Sequence, residues 1–378
     1  MIDFRYHLVS LISVFLALAV GIVLGAGPLK ESIGDTLTGE VDALRQRAAD
    51  LRTELDVAGT ELAESEAAFA SVADDLVAGT LTERRVAVVT FGDADGGAND
   101  DVVARLEEAG AVISARVRLT DDWTDPTRAT FRRTLAGTLV EYLAPAPDRD
   151  AGAGVELAEA LVQAVSSAVP EDPDRLSENA AVVLQLLTES GLVEVSGETI
   201  APADAVVIVA GGFDADLADE PDETAPPTEV DELQEAVDRW AAATRELALA
   251  ALLRTEGVVV AGHEPVDGGL LAQIRDGQAT ATRASTVADV QELVGQVSVP
   301  LALAERMAGD VGHYGTGAGA TAPVPPRVEL PPVQRIPTLP TADGDGTGDG
   351  ATGGTDGASD GTDGATDGTG EATADPAG

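Results

Sequence analysis

Only three histidines and two methionines, Met1 and Met307, stand in a chain of 378 residues that has no cysteine. His263 and Glu264 follow the apolar run from Gly257 to Ala261. A strand there would deliver an imidazole and a carboxylate to its carboxyl end, the edge at which open α/β sheets bind ligands. Asp93, Asp95 and Asp214 follow other apolar runs and would gather at the same edge. The chemistry these types offer together is a mixed imidazole and carboxylate metal site. His313 lies in Gly312-His313-Tyr314-Gly315, where the flanking glycines imply tight turns that pack the ring and the phenol back on a domain. His263, Glu264 and His313 are therefore the candidate metal ligands. The competing reading is that loop carboxylates arise by composition and that His263 shapes a turn.

Other chemistries are excluded by what is missing. Without a thiol there is no zinc finger, disulfide scaffold or cysteine nucleophile. The chain contains no GxGxxG and no GxxxxGK[ST], and Asp93 and Asp95 would repel a phosphate. No serine sits in a nucleophile elbow, so no enzyme activity and no cofactor are expected. Asp+Glu 66 against Lys+Arg 23 gives a formal net charge of −43, with Lys30 the one lysine. Nucleic acid is not a partner for such a chain, because affinity for polyphosphate comes from clustered basic side chains.

The elements that must position these residues begin in a membrane. From Leu8 to Leu29 there is no charged residue, and a helix of that length crosses a hydrocarbon core of ~30 Å. A cleaved signal peptide is the alternative, but its apolar part is usually shorter, and the small-residue triplet Gly25-Ala26-Gly27 runs into Pro28. The expectation is an uncleaved single-pass anchor in the cell membrane, with residues 1–7 cytoplasmic and the bulk of the chain extracytoplasmic. Ser13, Ala17, Gly21 and Gly25 recur every four residues on one helix face, a spacing that lets two backbones approach closely.

Residues 30–80 read as a stalk. Leu37, Val41, Leu44, Ala48, Leu51, Leu55, Ala58, Leu62, Ser65, Phe69, Val72 and Leu76 alternate at spacings of four and three, the seam of a coiled coil. As a helix it would be a rod of about 60 Å. Ala48, Ala58 and Ser65 weaken the seam, and Gly59 costs it roughly 1 kcal/mol. Such a rod self-associates or takes a partner helix; the plain alternative is that it packs on its own domain.

Residues 82–317 read as a doubly wound, Rossmann-like α/β domain. Arg85–Phe91, Ala111–Leu119, Ala205–Ala210 and Gly257–Gly262 are buried-type strands, with helices near 100–108 and 232–253. A strand near 279–285 and a helix near 287–293 complete it. Residues 145–200, mostly helical with proline breaks, are expected as an insertion, and the acidic loop 214–231 as exposed. From 318 to 378 the chain is rich in Pro, Gly and Asp and is expected to be disordered.

The stretches HLVSLISVFLALAVGIVLGAG, the heptad stalk and STVADVQELVGQVSVPLALAERMAGDVGHYG from Ser285 to Gly315 resemble the mycobacterial copper transport protein B (MctB) family of actinobacteria, over roughly residues 1–320. The resemblance implies an envelope protein of copper transport and homeostasis. It extends to SteB-type proteins, which pair with a membrane partner and whose coiled coil engages a cell-wall hydrolase at division. It carries no metal-ligand motif onto numbered residues. Copper(I) prefers sulfur donors, while copper(II) accepts imidazole and carboxylate, so His263, Glu264 and His313 leave copper(II) open without a dense ligand cluster to support it. One helix cannot line a pore alone, which favours an oligomeric or partner-binding scaffold.

Overall fold

The structure, a computed structural model, describes residues 4–26, 28–91, 96–148, 150–197, 201–211 and 227–337. Helix α1 (Phe4–Ala26) contains an apolar run, Phe4–Leu24, of 21 residues with mean hydropathy 2.6, none of it buried in the protein. The run begins at Phe4 and not at Leu8 because Arg5 and His7 continue the helical turn. It ends before Leu29 because Pro28 opens the next helix, where a missing N–H has no intrahelical partner to lose. Helix α2 (Pro28–Val77) then runs unbroken for 50 residues.

A seven-stranded sheet follows, in the order β5-β2-β1-β6-β7-β8-β9. Strands β1 (Arg85–Phe91), β2 (Val112–Leu119), β6 (Ala205–Ala210), β7 (Gly257–Ala261), β8 (Ser285–Val287) and β9 (His313–Tyr314) are parallel, and only β5 (Val193–Ser196) runs against them. Alternation sorts the strand residues between two cores. Ala87, Val89, Phe91, Val206, Ile208 and Ala210 face one core, and Val86, Val88, Ala205, Val207 and Val209 face the other. Helices α4 (Ala129–Leu139), α5 (Ala153–Ser166), α6 (Glu178–Glu189), α7 (Pro227–Arg254) and α8 (Leu270–Asp276) cover the first. Helices α3 (Gly96–Glu108) and α10 (Leu293–Ala308) cover the second, together with the last turns of α2. Beside the described end of β1, Phe91 stacks on Trp240 of α7 with centroids 4.6 Å apart.

Four expectations need correction. Residues 145–200 are not an insertion: Leu157 to Val165 of α5 are buried against the sheet, a small β3–β4 ladder (Ala168–Val169 with Asp172–Leu176) follows, and β5 joins the sheet beside β2. Residues 279–285 are not a strand, although Ala and Thr alternate there. The buried Thr280 hydroxyl donates to the Ile274 carbonyl at 2.8 Å and winds the segment into the short helix α9 (Gln278–Ala281), so β8 starts only at Ser285. The last long helix is Leu293–Ala308 and not 287–293, because Asp289 turns the chain with φ 61° first. That helix holds Pro300 in its interior, where burial of Val297 to Ala304 outweighs the lost N–H.

The fourth concerns the boundary at 317. Residues 318–337 run back over the domain as a strap, and only 338–378 of the expected tail fall outside the described residues. Val324 and Leu330 pack on the second core. Arg327 donates to the carbonyls of Asp75, Leu76 and Ala78 at 2.6 to 2.9 Å, capping the end of α2 with positive charge. Arg335 donates to the Glu83 carbonyl and to Asp204, and Arg84 to Glu256 and the Pro331 carbonyl. Replacing Arg327 with Ala is expected to lower stability by about 1 kcal/mol or less, as its site is exposed. Hydrogen exchange at Asp74 to Ala78 is the sensitive readout, and unchanged protection there would disprove the cap.

Candidate functional site

Two regions carry the sequence candidates, the stalk and the edge of the sheet around His313. Along α2, Val41, Leu44, Leu51, Leu55 and Leu62 are exposed, Leu55 by 71%. Local pairs hold the polar faces, among them Arg45 to Asp42 at 3.0 Å and Gln46 to Asp50 at 2.9 Å. At the far end the same helix turns to its own head. Ala73 and Val77 are buried, and Phe69 and Leu76 pack partly against the second core, where α2 meets α10 and α3. The plain alternative thus holds for the last two turns, and the free seam is the stretch from Val41 to Leu62, with Val72 half exposed beyond it. A cleft of about 800 Å³ lies where the two regimes meet, between Leu62 and Phe69 of α2 and Leu293 and Val294 of α10. Leu37 and Gly25 lie outside the residues whose side chains are described. In α1, Ser13, Ala17 and Gly21 are exposed, and the Ser13 hydroxyl donates to the Val9 carbonyl at 2.7 Å, which leaves that face without an unsatisfied donor.

His313 is a buried structural imidazole. Its Nδ1 is 3.0 Å from the Thr286 hydroxyl and its Nε2 is 3.0 Å from the Ala281 carbonyl. A carbonyl only accepts, so Nε2 carries the proton and Nδ1 accepts from Thr286. Thr286 in turn accepts from Arg275 Nε at 2.9 Å. The Arg275 guanidinium is buried and also donates to the carbonyls of Tyr314 (2.8 Å), Thr316 (3.1 Å) and Ala318 (3.0 Å). Tyr314 donates its hydroxyl to Glu305 of α10, and burial and this carboxylate raise the phenol's pKa. Glycine is required on both sides: a Cβ at Gly312 would stand 2.0 Å from the Tyr314 hydroxyl, and Gly315 has φ 95°. The tight-turn reading of this tetrapeptide holds. Sequence reasoning missed Arg275; the signal was an arginine directly after the mostly apolar stretch from Leu270 to Ile274.

Burial holds the His313 pKa below its free value of 6.5, with Arg275 adding to the effect and the Ala281 contact opposing it. The unfolded chain therefore takes up the proton first as pH falls. Stability carried by the neutral ring is whole above pH 6.5 and is lost progressively below it. His313→Gln is expected to flatten the pH dependence of the denaturant midpoint between about pH 6.5 and pH 5.5. Parallel curves for the two proteins would contradict this.

His263 and Glu264 do follow β7, and Glu264 is exposed. The His263 Nδ1 is buried with no hydrogen-bond partner. Among the described residues, no three His, Asp or Glu side chains converge at metal-binding distance. Asp93, Asp95 and Asp214 lie outside the described residues. Both His313 nitrogens are spent within the protein, and Met307 packs against the second core. These donors do not make a closed metal cage.

An exposed apolar N-terminal helix that fits a membrane anchor, the long helix α2 and a parallel-rich sheet covered by helices define a mixed α/β protein. The chain belongs to the MctB family: the model of "Copper transport outer membrane protein, MctB" matches residues 1–325. Copper transporter MctB of Mycobacterium tuberculosis is 29% identical over 332 residues, which is 85% of this chain and 98% of that protein. The protein of the same name in Mycobacterium bovis gives the same figures. That of Mycobacterium leprae is 25% identical over 348 residues, again 85% of this chain and 98% of that protein. The resemblance read from the anchor and from Ser285 to Gly315 is thereby established.

Proposed function

We propose that the protein is a single-pass, extracytoplasmic scaffold of the copper-handling envelope machinery, without catalytic activity, that acts by self-association or partner capture along α2. The observation that carries this reading is the exposed seam from Val41 to Leu62 on an otherwise polar helix. The copper assignment rests on the relatives, which are named copper transporters. One apolar helix cannot enclose a path for an ion, so a transport role needs several copies or another membrane protein. The basic residues before α1 favour a cytoplasmic amino terminus. The same seam would serve a partner regulating cell-wall hydrolysis, as in the SteB-type proteins that the sequence resembles.

The lack of native cysteine gives a direct test on the full-length protein in membranes. Leu51→Cys, at the seam, should form an intermolecular disulfide under mild oxidation, and Thr53→Cys, on the outermost face, should not. Equal cross-linking of the two, or none at Leu51, would argue against a paired stalk. Direct copper binding is the second reading, favoured by the unpartnered His263 Nδ1. Titration of the full-length protein with copper(I) and copper(II) tests it: binding that His263→Ala removes places the ion there, and no binding leaves the scaffold alone.

A further inference from the structure

On the opposite face of the sheet from α2, a cleft of about 280 Å³ opens between α4, α5 and α7. Arg132 and Arg133 of α4, Arg239 of α7, Glu246 and Trp123 line it. Three guanidinium groups on one small cleft stand out in a chain where Asp+Glu 66 outnumber Lys+Arg 23. Arg132 is fixed by donating to the carbonyls of Asp122 at 2.9 Å and Asp125 at 2.5 Å. Arg239 meets Glu235 only at 3.7 Å, and Arg133 is exposed without an ion pair among the described residues.

Glu246 has no hydrogen bond or ion pair among the described residues, although burial pushes its carboxyl pKa up with Arg245 alone opposing. Its carboxylate lies over the first turn of α5. A Cβ at position 154 would stand 2.3 Å from Glu246 Oε2, so Gly154 leaves the room that this carboxylate occupies. Arg239 and Glu246 are seven residues apart on one helix, about 10 Å along its axis. The cleft therefore holds cationic and anionic groups that are not paired with each other, above an apolar wall of Trp123 and Leu157.

We propose that this cleft binds a short zwitterion of dipeptide size, its carboxylate on the guanidinium groups and its ammonium on Glu246. Planar guanidinium forks suit a carboxylate, and a cleft that presents both signs of charge suits a ligand charged at both ends. A free anion would leave Glu246 unused, and a free cation would leave the arginines unused.

The test is calorimetry on the full-length protein in detergent with L-alanyl-L-alanine, its N-acetylated form and its carboxamide. The dipeptide should bind, and each capped form should bind at least tenfold more weakly. Glu246→Gln should cost the dipeptide at least tenfold while leaving the N-acetylated form unaffected. Arg133→Ala combined with Arg239→Ala should weaken both. Arg133 is exposed, so the single Arg133→Ala variant, checked by its unfolding midpoint, separates lost binding from lost folding. No heat with the dipeptide up to roughly 10 mM, equal affinity for the N-acetylated form, or affinity unchanged in every variant would each overturn the assignment.

Discussion

Leu51→Glu combined with Leu55→Glu is expected to turn the full-length protein in detergent from an assembly into a monomer, or to release its partner. Both side chains are more than half exposed on the single chain, so neither supports the fold of the head. Each leucine covered by a second helix contributes about 1.5–3 kcal/mol, and a glutamate placed there adds the cost of desolvating a charge. The combined loss corresponds to at least a hundredfold in association. Glutamate is nearly as good a helix former as leucine, so α2 itself should persist and circular dichroism should be unchanged. Thr53→Glu, on the outer face, is the control. Light scattering that reports the same mass for all three proteins would remove the stalk from the mechanism.

The second large effect lies in the head. Arg275→Met keeps the length and apolar stem of the side chain but withdraws donors from Thr286, Tyr314, Thr316 and Ala318 together. The two buried acceptors, the Thr286 hydroxyl and the Tyr314 carbonyl, cost about 1–3 kcal/mol each when left without a donor, while the carbonyls of the exposed Thr316 and Ala318 can turn to water, so the expected loss is about 2–5 kcal/mol. Against a total stability of ~5–15 kcal/mol, that threatens the domain. Arg275→Lys should recover only part of it, since an ammonium cannot span acceptors arranged for a planar fork. Denaturant unfolding measures both, and a loss below about 1 kcal/mol for Arg275→Met would show that the network is redundant.

These residues mark the limit of what could be read from the chain. Strands β1, β6 and β7 were legible because each is an apolar run rich in valine between turn residues, the pattern of a sheet covered on both faces, and β2, which carries Arg116 and Arg118, by its place after a strand, loop and helix. Strand β5 has four residues and β8 three, too few for any period to show, and α10 was hidden by Pro300. The heptad spacing of α2 was plain, but its division into a free stretch and a docked end was not. Which face meets the head depends on where α10 and α3 fall, and this is decided by sheet order. The glycines of Gly312 to Gly315 disclosed a packed histidine, while its partners at 275, 281 and 286 are set by tertiary contact alone. The strap was concealed by composition: its prolines and exposed polar residues match a disordered segment, while contacts to distant residues, those of Arg84, Arg327 and Arg335 and the packing of Val324 and Leu330, hold it down.

That strap changes how the molecule carries force. Tension from the anchor would reach the head through α2 at the amino end of β1, a strand hydrogen-bonded on both sides by β2 and β6. Pulled along its axis, β1 loads those bonds together and not one after another. Arg327, Arg335 and Arg84 bridge the entry point to the last described segment of the chain, so they must yield before β1 feels the pull. A head built this way would resist extension from its anchor, and optical-tweezer traces should show a small early rupture of these bridges that Arg327→Ala weakens, followed by a late, high-force rupture of β1 that it leaves unchanged.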